Sequence, residues 1–297
     1  MSNKPRKMTL EKKHNLTGWA FLAPATFLIA VFSFWPMIKA LVLSFQTGKG
    51  RNMQMAGFTN YIRMFQDDVF IQSIKNTFFY FILQVPIMLV VALVLACILN
   101  KKDLRFKGFF RTMIFLPCTT SLVAYSIIFR SLFANDGLVN YVLVNLGILD
   151  KPYNFLTQPF AAKMVIILAL LWRWTGYNMV FFLSGLQNIE YSVYKAAKID
   201  GASAIQTFFK ITVPLLKPTI LLTAIMSTNG TLQLFDESIN LTDGGPANAS
   251  ISMSHYIYNL CFKYVPNFGY AAAMSFFILL LVAVLAFIQM RVGDKRD

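Results

Sequence analysis

Six stretches of this chain are apolar enough, and long enough, to cross a bilayer as helices. A hydrocarbon core about 30 Å thick takes roughly 20 apolar residues at about 1.5 Å per residue. The stretches lie at about 19–44, 77–99, 112–134, 162–186, 213–235 and 269–290. Within lipid every backbone amide and carbonyl must be paired inside the protein, so apolar runs of this length become helices. The expected fold is therefore all-α: a polytopic membrane protein with six transmembrane helices. Charged residues make up only 13% of the 297, against about 25% in a soluble domain. The formal net charge is +14, but the basic residues flank the apolar runs and form no soluble basic face, which argues against nucleic acid as a partner.

The first stretch follows Lys4, Arg6, Lys7, Lys12 and Lys13, as a signal peptide would. Its apolar run is longer than a signal core, contains Pro24 and Pro36, and has no small-x-small site after it, so a retained anchor is expected. Short loops rich in Lys and Arg stay in the cytoplasm. Basic residues crowd the N-terminus, the loop 100–111 (Lys101, Lys102, Arg105, Lys107, Arg111) and the C-terminus (Arg291, Lys295, Arg296). The loops 135–161 and 236–268 carry only Lys151 and Lys263. This places both termini and the loops 100–111 and 187–212 inside, although Lys49, Arg51, Arg63 and Lys75 of the loop 46–76 then lie outside. The expected organisation is a cytoplasmic basic segment at 1–18, a membrane domain at 19–290 with its main cytoplasmic loop at 187–212, and a cytoplasmic tail at 291–297.

Several chemistries are missing from the sequence. No G-x-x-x-x-G-K-[ST] phosphate loop is present, and no HExxH or GxSxG motif. Cys97, Cys118 and Cys261 suggest no disulfide framework, and His14 and His255 have no metal-ligand spacing.

The loop between the fourth and fifth stretches reads as a short helix, a glycine break and a second short helix. Ala196 and Ala197 favour helix with little bulk, so another surface can come close. Gly201 suits a left-handed helix stop. Asp200 is placed to cap the following helix. Phe208, Phe209 and Ile211 can seat that helix against the membrane end of the bundle, and Pro214 fits the first turn of the next span. An ordinary turn between two spans fits the same local physics.

Tyr194-Lys-Ala-Ala-Lys-Ile-Asp-Gly-Ala202, followed by Phe208-Phe-Lys-Ile-Thr-Val-Pro214, resembles the E-A-A loop of ABC importer permeases. Trp172-Arg-Trp-Thr-Gly-Tyr-Asn178 with Gly185-Leu-Gln187 resembles the fourth core span of the carbohydrate-uptake branch. Gly137-Leu-Val-Asn140, Phe235-Asp236, Leu241-Thr-Asp-Gly-Gly-Pro246 and Gly269-Tyr-Ala-Ala-Ala273 are similar to its outer loops and C-terminal third. The resemblance spans about residues 18–290 and is closest to the larger sugar permease of maltose-like importers. It implies an ATP-driven importer in the bacterial cytoplasmic membrane, with this chain forming half of the pathway for a sugar or oligosaccharide. It further implies a second permease subunit, ABC ATPase subunits and an external solute-binding protein, with ATP and magnesium on the ATPase and no cofactor on this chain. Tyr194, Lys195, Ala196, Ala197, Asp200, Gly201 and Ala202 are then the ATPase-coupling residues. The family's leading glutamate, which meets a basic residue of the ATPase, is Lys195 here, so that ion pair does not carry over.

The expected solute site lies on the fourth and fifth spans. Arg173 stands about 11 residues into its span, near mid-bilayer, where an arginine costs at least about 2.5–3.5 kcal/mol. It either faces a polar pathway or is satisfied by Asp236, Glu237 or free carbonyls. Tyr177, four residues on, shares its face, and the resemblance gives Tyr177 a sugar-contacting position and brings in Asn178. Trp172 and Trp174 can stack on a sugar ring or pack between helices. In the fifth span Ser227-Thr228-Asn229-Gly230-Thr231 and Gln233 form a polar run that either joins helices or lines a path; the resemblance favours lining. The competing function is a secondary transporter or channel for a polar solute, but no inverted repeat or carboxylate within a span supports it.

Overall fold

A computed structural model describes residues 10–49, 52–101 and 103–293. Lys4, Arg6, Lys7, Arg51, Lys102, Lys295 and Arg296, on which part of the orientation argument rests, lie outside those residues, as do most of the segment 1–18 and the end of the tail.

The chain begins with α1 (Leu10–Ile29), a wide π-helical turn (Ala30–Phe34) and α2 (Trp35–Ser44). Together they give a continuous apolar helix, His14–Ser44, whose most apolar stretch has no buried residue. Only its end, α2, packs on the rest, against the last helix. A small hairpin, β1 (Gln46–Lys49) with β2 (Asn52–Met55), and α3 (Thr59–Met64) follow. No such hairpin was expected in an all-α chain. Asn60 holds its start, donating to the carbonyls of Ser44 at 2.9 Å and Gln46 at 2.8 Å.

The bundle is centred on α4 (Asp68–Asn100) and α8 (Pro159–Gln187), which cross along most of their lengths. Ala92 and Ala96 of α4 are fully buried there, with Met179, Phe182 and Leu186 of α8 around them. In lipid such helices are held by close packing rather than by expulsion from water, and small residues permit that approach. Between these two helices run α5 (Lys107–Thr119), α6 (Leu122–Leu132) and α7 (Leu138–Asn145). Gly176 of α8 lies so close to α5 that a Cβ there would stand 1.9 Å from the carbonyl oxygen of Ile114. Asn140 pins the loop around α7, donating to the carbonyls of Ala134 and Tyr153 at 3.0 Å each.

The rest of the chain comprises α9 (Tyr191–Ile199), α10 (Ala204–Thr207), a π-helical turn (Phe208–Thr212), α11 (Val213–Leu215), α12 (Lys217–Leu232), α13 (Asp236–Thr242), α14 (Met253–Tyr258), a third π-helical turn (Asn259–Lys263) and α15 (Phe268–Gly293). Four spans are unbroken helices: His14–Ser44, α4, α8 and α15. The six expected spans are present when two bent pairs count as one each. The third, expected as one helix over 112–134, breaks between α5 and α6 with a bend of 98°. Pro117 occupies the last turn of α5, and the Thr119 and Thr120 hydroxyls bond back to the carbonyls of Leu116 and Pro117, competing with helix continuation. The fifth bends by 70° at Leu216, between Ala204–Leu215 and α12. Pro214 and Pro218 flank this elbow, each in the first turn of its helix.

One end of the bundle is tied by Asp67. It caps α4, accepting from the amides of Val69 at 3.0 Å and Phe70 at 3.2 Å, and accepts the hydroxyls of Tyr256 and Tyr270 at 2.7 Å each. The segment after α13 folds back onto α4. Asn76 donates to the carbonyls of Asn248 and Ile251, and Tyr80 to that of Ser250.

Candidate functional site

A cavity of about 310 Å³ opens between α4, α8, α12 and the start of α13. Trp174, Tyr177 and Asn178 reach it from α8, and Gln233 from the end of α12. Trp174 and Tyr177 meet edge to face with centroids 5.8 Å apart, and Tyr177 meets Phe181 at 5.1 Å. Asn178 donates to the carbonyl of Trp174 at 3.0 Å and accepts from Ser227 at 3.3 Å. Thr231 donates to the buried amide of Gln84 at 3.0 Å. The wall thus combines aromatic faces with amides and hydroxyls that can exchange hydrogen bonds with a polyol.

Three of its lining residues, Gln84, Asp236 and Glu237, were not among the expected contacts, while Ser227 and Thr231 come from the polar run expected to line a path. Gln84 had a visible signal: it is the one strongly polar side chain between Tyr80 and Asn100 of a very apolar helix. Asp236 and Glu237 reach the cavity because the chain turns at Gln233–Phe235 and α13 folds back. Glu237 is buried and accepts from the Tyr125 hydroxyl. Burial pushes its carboxyl above the usual range, while the Tyr125 hydrogen bond pulls the other way.

Other expected contacts stand elsewhere. Arg173 is buried but does not line the cavity. Its guanidinium donates to the Thr120 carbonyl at 2.8 Å, with longer bonds to the Thr120 hydroxyl (3.3 Å) and the carbonyls of Cys118 (3.4 Å) and Pro117 (3.5 Å). These carbonyls are freed where α5 ends, and a cation is the natural partner of that helix pole. Of the partners considered for Arg173, the structure places it on carbonyls. The Tyr125 ring lies 4.8 Å from the guanidinium, and its hydroxyl donates to Glu237. Thr228 faces α15, accepting from Gln289 at 2.7 Å. Asn229 lines a separate groove of about 590 Å³ against Ser254 and Ser275, which Gln233 also touches. Trp172 packs on Tyr125 and Phe129 rather than on the cavity.

At the other end of the bundle, α9 stops at Gly201, which has a φ of +75°. The Ala202 amide bonds back to the Ala197 carbonyl at 2.9 Å, as in a left-handed helix stop. Asp200 ends α9 and does not cap the next helix. Ser203 caps α10, in a reciprocal pair with Gln206, because the glycine turn brings Ser203, three residues further on, to the first free amides. Tyr194 and Ala197 turn inward, with the Tyr194 hydroxyl 3.4 Å from that of Thr212. Lys195, Ala196 and Lys198 are exposed, and Ile199 and Ile205 are 86% and 72% exposed. Phe208 packs into the core beside α8 and Ile211 is half-buried, while Phe209, expected to do the same, is exposed.

Residues 68–296 match the family described as binding-protein-dependent transport system inner membrane component. The chain is 51% identical over 292 residues to the lactose transport system permease protein LacF of Rhizobium radiobacter, covering 98% of each. It is 31% identical over 280 residues to the arabinooligosaccharides transport system permease protein AraP of Bacillus subtilis (strain 168), covering 93% of this chain and 88% of that one. Its fold matches a chain of a bacterial alginate ABC transporter, crystallised with an alginate pentasaccharide-bound periplasmic protein, with a TM-score of 0.84 and 25% identity over 96% of each.

Proposed function

Because the chain belongs to the family of binding-protein-dependent transport system inner membrane components, we propose that its cavity between α4, α8 and α12 is its share of a sugar pathway. The chain is a multi-pass membrane protein and a permease subunit of an ABC importer, not an enzyme. A secondary transporter or channel, the competing reading of the sequence, does not belong to this family. Its partners are a second permease, ATPase subunits and an external binding protein. ATP and magnesium belong to the ATPase, and this chain binds no cofactor of its own. The observation that carries the sugar reading is the lining of Trp174 and Tyr177 beside Asn178, Gln84 and Gln233: flat apolar faces next to groups that both donate and accept. The relatives named above are transport proteins for lactose, arabinooligosaccharides and alginate, all of them glycans. Tyr177→Ala and Gln233→Ala should each lower sugar uptake in proteoliposomes about fivefold, with the ATPase subunit still copurifying. Normal uptake in both variants would move the site elsewhere.

Both termini and the loops 100–111 and 187–212 lie in the cytoplasm, where α9 and α10 present Lys195, Ala196, Lys198, Ile199 and Ile205 to the ATPase. Tyr194, Ala197, Asp200, Gly201 and Ala202 hold those residues in place. The basic-loop asymmetry supports this orientation. After replacement of Cys97, Cys118 and Cys261, single cysteines in Asp103→Cys and Lys198→Cys should label only from the cytoplasmic side. Asp243→Cys should label from outside. External labelling at residue 198 would overturn the coupling surface together with the orientation.

A further inference from the structure

We propose that Asp236 and Glu237 make the cavity selective for uncharged sugars over sugar acids. The inference rests on the reading of this cavity as a sugar site. Two carboxyl groups line it, and no lysine or arginine among the described residues does. Arg173 does not line the cavity; its terminal amino groups donate to the carbonyls at the end of α5. Asp236 is half-buried, and its carboxylate has no ion pair or side-chain hydrogen bond among the described residues. Glu237 beside it has only the Tyr125 hydroxyl as a side-chain partner.

A carboxylate only accepts hydrogen bonds, and two adjacent sugar hydroxyls are matched donors for it. Glu237, pushed up by burial and by neighbouring Asp236, holds its charge poorly until such donors arrive. A sugar carrying its own carboxylate brings a like charge to the same wall, in a site shielded from water, where no lysine or arginine among the described residues lines the cavity. Gln84, Asn178 and Gln233 can hydrogen-bond a sugar acid, but they cannot cancel its charge. The cavity therefore discriminates by repulsion, and the two acidic residues are its specificity-determining groups.

The test uses the complete transporter, both permeases and the ATPase, in nanodiscs without the binding protein. Equilibrium binding is measured for radiolabelled lactose and for lactobionate, the same disaccharide with its reducing end oxidised to a carboxylate. Lactose should bind at least tenfold more tightly. Asp236→Asn should narrow that ratio about fivefold. Glu237→Gln, whose amide oxygen can still accept from Tyr125, should narrow it as well. Tyr177→Ala should weaken both sugars equally, which marks the signal as coming from this cavity. Equal affinities in the wild type, or an unchanged ratio in both acidic-residue variants while Tyr177→Ala still weakens binding, would overturn the selectivity and leave the sugar site standing. If lactose does not bind the wild type, or binds Tyr177→Ala unchanged, the cavity is not the sugar site and the inference falls with it.

Discussion

Arg173→Gln is expected to destabilise the assembled transporter by about 3 kcal/mol, whatever sugar is supplied. Hydrogen bonds to a charged group contribute about 1.5–3 kcal/mol, and a buried carbonyl left without a partner costs about 1–3 kcal/mol. Arg173 serves the carbonyls of Pro117, Cys118 and Thr120 together, at a helix end where no continuation can take over. Its guanidinium also lies 4.8 Å from the Tyr125 ring and 5.3 Å from that of Trp174, contacts that add about 0.5–2 kcal/mol each. A glutamine is shorter, uncharged and unable to span the fork. The variant should show a lowered thermal midpoint and poor recovery with the ATPase, equally with neutral and acidic sugars. A normal midpoint combined with loss of one acidic sugar would return Arg173 to the solute site.

Lys195→Glu is expected to weaken coupling to the ATPase about tenfold. The lysine is exposed on α9, the helix proposed above to meet the ATPase, its ammonium 5.3 Å from the Tyr191 ring. In the resembling family a glutamate stands here and meets a basic residue. A positive charge that works in the same place requires a neutral or acidic partner surface. Two like charges about 4 Å apart repel by about 4 kcal/mol at an effective dielectric of 20. Screening at a solvated interface reduces this to roughly 1–2 kcal/mol, which is about tenfold. The measurement is sugar-stimulated ATP hydrolysis, paired with copurification of the ATPase. Equal or improved coupling in the variant would mean that the usual basic partner is present and that the surface opposite Lys195 is not as described.

Residue patterns carried some levels of this structure and not others. Length and hydropathy marked all six spans, because the bilayer imposes its thickness on any helix that crosses it. They did not mark the break at Thr119–Ser121 or the elbow at Leu216. An average over about 20 residues is insensitive to a few whose hydroxyls or ring nitrogens interrupt the ladder. Nor did they separate His14–Ser44, with an apolar stretch that has no buried residue, from α8, since apolar side chains suit lipid and protein neighbours alike. The helix, glycine break and second helix at 191–207 were legible, as Gly201 and the spacing around it act locally. Ser203 replaced Asp200 as the cap because that choice depends on where the left-handed turn sends the chain. In the cavity, the sequence marked α12 as a dense polar run. It could not tell which face met α15 (Thr228), which met the cavity (Ser227, Thr231) and which pointed to the outer groove (Asn229). Asp236 and Glu237 sit just past a span and were candidates only for neutralising Arg173; the turn that carries them into the cavity wall depends on contacts made by α13 and the segment after it.

The elbow at Leu216 sets a mechanical ratio. On one side of it lie Tyr194 and Thr212, which bind α9 to the base of the bend. On the other side is α12, 16 residues long, with Ser227, Thr231 and then Gln233 toward its far end. At about 1.5 Å per residue that arm measures about 24 Å, so a turn of about 5° at the elbow carries its tip through about 2 Å. Two ångströms is most of a hydrogen-bond length. A displacement of α9 too small to break its own contacts, if carried to the elbow, is thus enough to move Ser227, Thr231 and Gln233 out of hydrogen-bond reach of anything held in the cavity.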